Sequence, residues 1–208
     1  MMKTPSPNKI ASPLVLVVDL EATCCDTGSV RQMEMEIIEI GAVVASINGQ
    51  ALTAWTSHVR PVRHPQLTSF CTKLTGIEQQ DVDCADPLPL VLVRFVDWLR
   101  HQGDGISAWA SWRAYDLHQL RQDLAYHGHA WPLPAEHLNL KALFAKRFRL
   151  KKRSALSTAL SHAGLEFVGA PHRALDDARN AARMLPFVFD TRDPVGRASN
   201  GPGPNLQC

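Results

Sequence analysis

The chain has 208 residues, of which 45% are apolar and 20% are charged. This length and composition predict a single globular domain, and they exclude a disordered acidic chain, a collagen-like repeat and a membrane protein. Because 22 Lys and Arg nearly balance 20 Asp and Glu, giving a net charge of +2, the total charge indicates neither a nucleic acid nor a membrane partner, and any important charge pattern must be local.

The two ends of the chain are predicted to be flexible. Residues 1–12 carry prolines and serines, and residues 191–208 are rich in Gly, Pro and Asn with few apolar residues. The apolar run over residues 14–18 is too short for the hydrophobic region of a signal peptide or for a membrane-spanning helix. Five cysteines, an odd number with Cys24 next to Cys25, do not form the disulfide framework of a secreted protein, so a reducing cytoplasm is the expected location.

Short apolar runs predict three strands before the first helix. They cover residues 14–20, 37–47 and 52–59. A helical period then runs from Pro87 to Gly103, and residues 106–110 predict a fourth strand. Four more helical segments follow: one that ends near Gly128, then residues 140–148, 154–163 and 173–189. This order predicts an α/β fold, a single domain over residues 13–190 with a mixed central sheet flanked by helices.

Two carboxylates stand at the end of the first predicted strand. Because side chains alternate along a strand, Asp19 and Glu21 point to one face and Leu20 points to the other. Two carboxylates ~6 to 7 Å apart repel each other, and the end of a buried strand screens that repulsion only weakly. Taken alone, the pair also fits an ordinary strand end that enters a solvated turn.

A third acid and a histidine stand close to helix starts. Asp116 follows the fourth strand near the beginning of a helix, where the helix dipole favours an acid even without a function. His172 directly precedes the last helix, and by itself it fits a surface or capping histidine. Neither residue indicates a function in isolation.

Helix geometry separates the two neighbouring acids of the last helix. Asp177 is three residues after Ala174 and four before Ala181, beside the small apolar face that should lie on the sheet. Asp177 is therefore predicted to point inward. Asp176 is predicted to point outward, on a polar, solvent-facing stripe that has ion-pair spacing. The other members of this stripe are Arg179, Asn180 and Arg183.

The four acids indicate a function only when they are considered together. In an α/β sheet, ligands bind in the crevice at the strand ends, and four acids meeting there without a counter-charge would destabilise the fold. A divalent metal is the natural compensation, and oxygen ligands that leave room for water suit Mg²⁺ or Mn²⁺. Two such ions ~4 Å apart promote in-line displacement at phosphorus. A histidine is then the expected general base.

The motifs resemble those of the DEDDh 3′-to-5′ exonucleases of the RNase H-like superfamily. They are DLEAT at residues 19–23, Asp116 after the fourth strand, and H-x4-D from His172 to Asp177. The resemblance spans residues 14–189 in the expected order. Four segments are similar to the branch with the enhanced-RNAi or 3′ histone mRNA exonucleases and the KapD-like proteins: EIIEIGAVV, HVRP, LTSFCTKLTGI and NLKALFA.

This resemblance implies an enzyme that removes nucleotides from 3′ ends of single-stranded RNA or DNA and releases nucleoside 5′-monophosphates. It implies two Mg²⁺ ions, for which Mn²⁺ can substitute, held by Asp19, Glu21, Asp116 and Asp177. His172 is the implied base that deprotonates water, and Glu21 is implied to act in catalysis as well as in metal binding. The residues implied to contact the terminal nucleotide are Ala22, Thr23, Leu74 and Ile77.

Two other functions stay open at this point. One is a proofreading-type exonuclease that acts on DNA, and the other is a non-catalytic nucleic-acid-binding module that keeps the fold. The EIIEIGAVV and LTGI segments resemble the branch that acts on RNA, so single-stranded RNA is the expected substrate ahead of DNA. The stretch WRAY before Asp116 differs from the lead-in of proofreading relatives, which leaves that side of the substrate pocket open.

One basic run and two tryptophans have two possible interpretations each. The run KRFRLKKR over residues 146–153, with Phe148 and Leu150 inside it, is either a phosphate-binding segment or a solvated loop between helices. Trp109 is either an exposed platform for base stacking or a core residue, and its position on a strand favours the core. Trp112 is either a core residue or an exposed platform for base stacking.

Overall fold

The computed structural model describes residues 13–103, 105–134 and 136–189. The ends predicted to be flexible, residues 1–12 and 191–208, lie outside the described residues, as does Asp190. Within the described ranges, no helix is long and apolar enough to cross a membrane.

Five strands form one mixed sheet in the order β3-β2-β1-β4-β5. They are β1 (Leu14–Ala22), β2 (Ile37–Ser46), β3 (Ala51–His58), β4 (Ile106–Ser111) and β5 (His137–Asn139). The strands β1, β2 and β3 pair antiparallel, whereas β4 runs parallel to β1 and β5 runs parallel to β4. The carboxyl ends of β1, β4 and β5 therefore lie at the same end of the sheet, where α/β proteins bind ligands.

Eight helices flank this sheet in the described part of the chain, together with a short 3-10 helix at Gln32–Glu34. They are α1 (Ser69–Thr75), α2 (Gln79–Asp83), α3 (Leu88–Arg100), α4 (Tyr115–His127), α5 (Leu140–Arg147), α6 (Leu156–His162), α7 (Ala174–Arg183) and α8 (Leu185–Val188). The predicted α/β fold is confirmed, and each of the four predicted strands begins and ends within two residues of its expected position.

The differences from prediction concern short elements. Helices α1 and α2 and strand β5 have seven, five and three residues, too few for a periodic apolar pattern. The single helix predicted over residues 173–189 is in fact α7 followed by α8. It divides at Met184 because Pro186 has no amide hydrogen and cannot continue the hydrogen-bond ladder.

Strand β1 contributes to a separate core on each face of the sheet. Val17 packs in a cluster with residues of α5, α6, α7 and α8. Leu16 packs in a second cluster with residues of α3 and α4. Because side chains alternate along the strand, Asp19 and Glu21 continue the series of Val17 and face the side that carries α7.

Helix α7 lies directly against β2 because its inner face is made of alanines, including Ala174 and Ala178, both fully buried. On the strand, Gly41 provides the matching gap. A Cβ atom added to Gly41 would collide with the main chain of Ala174 and Leu175. The main chains of helix and strand therefore meet without side chains between them, which brings the first turn of α7 over the end of the sheet.

Candidate active site

One cavity of about 500 Å³ opens at the carboxyl ends of β1 and β4. Its lining includes every acid and the histidine that the sequence motifs singled out: Asp19, Glu21, Asp116, His172 and Asp177. These residues come from β1, from the start of α4 and from the start of α7, so the fold brings together positions that lie more than 150 residues apart in the chain. The cavity is the candidate site.

Two of the four residues implied to contact the terminal nucleotide lie on the cavity wall. Ala22 and Leu74 both line the cavity. Thr23 does not, because it is buried and its hydroxyl accepts a hydrogen bond from the backbone N of Glu36 at 2.9 Å. Ile77 does not line the cavity either, since it is fully buried in a small core beside α1 and α2.

Three carboxylates converge at the centre of the site. One oxygen atom from each of Asp19, Glu21 and Asp177 lies within 4.8 Å of the others. Asp116 lines the same cavity but lies outside this compact trio, and its Oδ1 accepts a hydrogen bond from the backbone N of Leu20 at 3.1 Å. That hydrogen bond fixes Asp116 against the end of β1.

The two neighbouring aspartates of α7 face different ways, as helix geometry predicts. Asp177 joins the trio, and its Oδ2 accepts a hydrogen bond from the backbone N of His172 at 2.7 Å. Asp176 lies 3.6 Å from Arg179 and accepts a hydrogen bond from the backbone N of Ala170 at 3.0 Å. Asp176 therefore supports the loop before α7, whereas Asp177 belongs to the site.

The loop that carries His172 is fastened to α7. Asn180 is fully buried, because its side chain bonds to the backbone O and N of Val168 at 2.8 and 3.1 Å. This corrects the prediction for Asn180 alone, since Arg179 is exposed and lies 3.6 Å from Asp176 as the polar stripe predicts. His172 lies exposed on the cavity wall with a φ of 63°, a left-handed conformation that non-glycine residues adopt rarely.

Within the described residues, none of the acids of the cluster forms an ion pair, although the charges of His172 and Arg113 lower the pKa of Asp177 and of Asp116. Burial, followed by Asp116 and Asp177, raises the pKa of Asp19 well above its usual range. Burial and Asp177 raise the pKa of Glu21 to about 9. Burial also raises the pKa of Asp116, to about 6, and that of Asp177. The metal-free cluster therefore retains protons at neutral pH.

The donor set of the trio fits a hard divalent cation. It consists of carboxylate oxygens and contains no cysteine or histidine. Mg²⁺, Mn²⁺ and Ca²⁺ prefer such ligands, whereas thiolate and imidazole donors favour zinc and copper. A cation at this point would supply the positive charge that the raised pKa values show to be missing.

Glu39 of β2 is a carboxylate that the sequence analysis did not single out. It accepts hydrogen bonds from Arg173 Nη2 at 3.0 Å and from the backbone N of Ala174 at 2.9 Å, and His58 Nε2 lies 3.6 Å from it. These contacts fix the first turn of α7, which carries Asp177. An acid inside the otherwise apolar stretch IIEIGAVV is the signal that could have identified it.

The model of the exonuclease family matches this chain over residues 16–185. The chain belongs to the exonuclease family. The resemblance to DEDDh exonucleases is confirmed, because the nuclease domain of 3′hExo, a DEDDh family member bound to rAMP, has a similar structure. Its TM-score is 0.78 at 27% identity, and the match covers 87% of this chain and 94% of that one.

Two curated relatives are also named as exonucleases. Human ERI1 exoribonuclease 2 is 32% identical over 199 residues, which cover 82% of this chain and 27% of that protein. The 3′-5′ exonuclease Snipper of Drosophila melanogaster is 29% identical over 190 residues, which cover 82% and 67%. This exonuclease chain thus spans about a quarter of the length of ERI1 exoribonuclease 2.

The structure of the exonuclease domain also shows whether the two tryptophans belong to the core. It shows, too, which residues of the basic run pack against the core. Trp109 is fully buried, and Trp112 is buried as well, although it contributes to the cavity wall. Within the run over residues 146–153, Phe148 and Leu150 pack against the core. These two residues make the run more than a solvated loop.

The basic residues of the same run have different roles. Arg147 donates hydrogen bonds to the backbone O of Pro186 and Phe187, at 3.3 and 2.8 Å, and so anchors α8. Arg153 is exposed and lies close enough to Lys141 to influence its titration. Two residues that sequence motifs did not indicate, Arg113 and Lys141, line the cavity itself.

Proposed function

We propose that this exonuclease domain hydrolyses the phosphodiester bond at the 3′ end of single-stranded RNA and releases a nucleoside 5′-monophosphate. The observation that carries the proposal is the convergence of the unpaired carboxylates of Asp19, Glu21 and Asp177 beside His172. RNA is favoured ahead of DNA because similar proteins are named exoribonucleases and a similar structure holds rAMP. A cytoplasmic location stays a prediction.

The four acids of the cavity suit two magnesium ions. In this proposal, Asp19, Glu21, Asp116 and Asp177 hold the ions, and Mn²⁺ can replace Mg²⁺. When bound, such a pair activates water and stabilises the leaving oxygen of an in-line displacement at phosphorus. Glu21 extends from the end of β1 into the cavity, and we assign it a role in catalysis as well as in metal binding.

His172 is the proposed general base. An imidazole can accept a proton near neutral pH, and an exposed side chain can return that proton to solvent. His172 has this exposure on the cavity wall, and the hydrogen bond from its backbone N to Asp177 holds its main chain next to the acids. The side chain is therefore free to face an attacking water.

The terminal nucleotide is proposed to lie against Ala22 and Leu74, which form part of the cavity wall. Leu74 is 39% exposed although it is a large apolar residue, so a base packed on it would cover apolar surface. Thr23 and Ile77 contribute from outside the cavity lining, because each is buried beside the segment that carries one of these two residues.

The test is digestion of 5′-labelled single-stranded RNA and DNA of the same sequence, with and without Mg²⁺. We expect a ladder that shortens from the 3′ end, faster on RNA, and that disappears without Mg²⁺ and in Asp19→Ala. Asp97→Ala, which changes an exposed acid on α3, is the matched control. Faster digestion of DNA would favour a proofreading-type enzyme, and binding without cleavage would identify a non-catalytic module.

A further inference from the structure

The cavity carries opposite charges at its two ends. The acids lie at the end of β1, whereas Arg113 follows the end of β4 and Lys141 follows the end of β5 in the first turn of α5. Because β1, β4 and β5 are successive parallel neighbours, these positions follow one another across the sheet. Two strand spacings place Lys141 roughly 10 Å from the acids.

The two cations are held next to each other. The backbone N of Lys141 donates a hydrogen bond to the backbone O of Trp112 at 3.0 Å, and Arg113 is the next residue. This bond ties the start of α5 to the loop between β4 and α4. The buried Trp112 therefore forms the floor between them, and both cations line the cavity beside it.

The charge of Arg113 lowers the pKa of Asp116, but no acid in the described part of the chain forms an ion pair with either Arg113 or Lys141. Lys141 is half-buried, and burial, Arg113 and Arg153 all lower its pKa. A half-buried cation between two others is unfavourable unless an anion joins them. This end of the cavity therefore has the charge of an anion site.

We propose that Arg113 and Lys141 bind the phosphate that precedes the scissile one in the substrate strand. This inference rests on the proposed function, because it assumes that the scissile phosphate lies at the acids. Arg113 offers a planar fork of donors and Lys141 a point charge, both suited to a phosphate and indifferent to base sequence. The site thereby favours a strand of three or more nucleotides over a single phosphodiester.

The experiment compares a substrate with the preceding phosphate and one without it. The first is a 5′-labelled single-stranded RNA, and the second is the p-nitrophenyl ester of uridine 5′-monophosphate, which has a scissile bond and a terminal nucleoside only. In Arg113→Gln and Lys141→Gln, we expect the ratio of kcat/KM for RNA to that for the ester to fall about tenfold. Arg100→Gln, an exposed position on α3, should keep the wild-type ratio.

Salt dependence and conservative variants provide independent measurements. Loss of one phosphate contact should reduce the slope of log kcat/KM for RNA against log salt by about 0.7. Lys141→Arg should recover most of the ratio because it keeps the charge, whereas Arg113→Lys should recover only part of it because it keeps the charge and loses the planar fork. Thermal unfolding of each variant identifies any loss that comes from misfolding.

The outcomes separate this inference from the proposed function. Equal losses on RNA and on the ester, or an unchanged ratio in a folded variant, would overturn the assignment of Arg113 and Lys141 to the preceding phosphate. If wild-type protein cleaves neither substrate in Mg²⁺, the proposed function itself fails.

Discussion

Glu21 and Glu39 are register partners on β1 and β2, yet their surroundings differ completely. Glu39 is buried, and it is neutralised by Arg173 and by the backbone N of Ala174. Glu21 faces other carboxylates, which together with burial raise its pKa to about 9. Glu21 lines the cavity and forms no ion pair within the described residues, whereas Glu39 lies outside the cavity lining with a charged partner, and these two differences distinguish the candidate metal ligand from the structural residue.

The largest expected effect is a loss of kcat/KM, and it should distinguish two acids that are neighbours in the sequence. Asp177→Asn should lower kcat/KM on labelled RNA by about 10³-fold or more, because it removes a charge that the metals need. Asp176→Asn should lower it by no more than about threefold, since an amide oxygen can still accept the hydrogen bond from Ala170. Equal losses in the two variants would show that the inward and outward faces of α7 are assigned wrongly.

His172→Ala should reduce kcat by about 10²-fold to 10⁴-fold, the usual contribution of a general base. Its backbone N still reaches Asp177, so the increase in Tm on adding Mg²⁺ should stay close to that of wild type. His101→Ala, at an exposed histidine after α3, is the matched control. Full activity in His172→Ala would remove this residue from the base role.

Metal and pH should act together on stability. The carboxyls of Glu21 and Asp116 have raised pKa values of about 9 and about 6 in the folded state, so the folded chain binds more protons than the unfolded one. The stability of the metal-free protein is then lost as the pH rises through these values. Mg²⁺ at a hundred times its Kd should add about 2.7 kcal/mol.

The corresponding measurement is Tm at pH 6 and pH 8, with Mg²⁺ and with a chelator. We expect the stabilisation by Mg²⁺ to be greater at pH 8, because fewer protons compete for the carboxylates. A Tm that is insensitive to millimolar Mg²⁺ at both pH values would contradict the metal site.

The smallest expected effect is a change in thermal stability. Its sign should differ between an acid of the site and an acid with a structural partner. Without divalent metal, Asp19→Asn should raise Tm, because an amide avoids both the buried charge and the proton uptake that the raised pKa of Asp19 implies. Glu39→Gln should destabilise the protein by about 1–3 kcal/mol, because Arg173 loses its charged partner. Thermal unfolding in chelator measures both, and a loss of Tm in Asp19→Asn would mean that Asp19 has a structural partner after all.

Local pattern was enough to predict the acids of the site. The alternation of β1 determines the face of Asp19 and Glu21, and the period of α7 determines that of Asp177. Both elements are long enough for their periodicity to indicate which side faces the core. Asp116 was recognised through its distance after a strand and through the family resemblance.

Residues that act through distant partners could not be found in this way. Glu39 and Arg173 are 134 residues apart, and no local pattern links them. Arg113 and Lys141 become neighbours because β5 pairs with β4, and β5 has only three residues. Thr23 and Ile77 stand in motif positions, but their burial depends on packing against segments that the sequence does not place.

The contact between α7 and β2 at Gly41 determines the width of the acid cluster. Two main chains touch there, so the separation between the main chains that carry Asp177 and the acids of β1 does not depend on any side chain packed between them. A methyl group at position 41 would push the helix outward and move Asp177 away from the acids of β1. A residue without a side chain, on the strand face that α7 covers, is therefore a position of this site that tolerates no substitution.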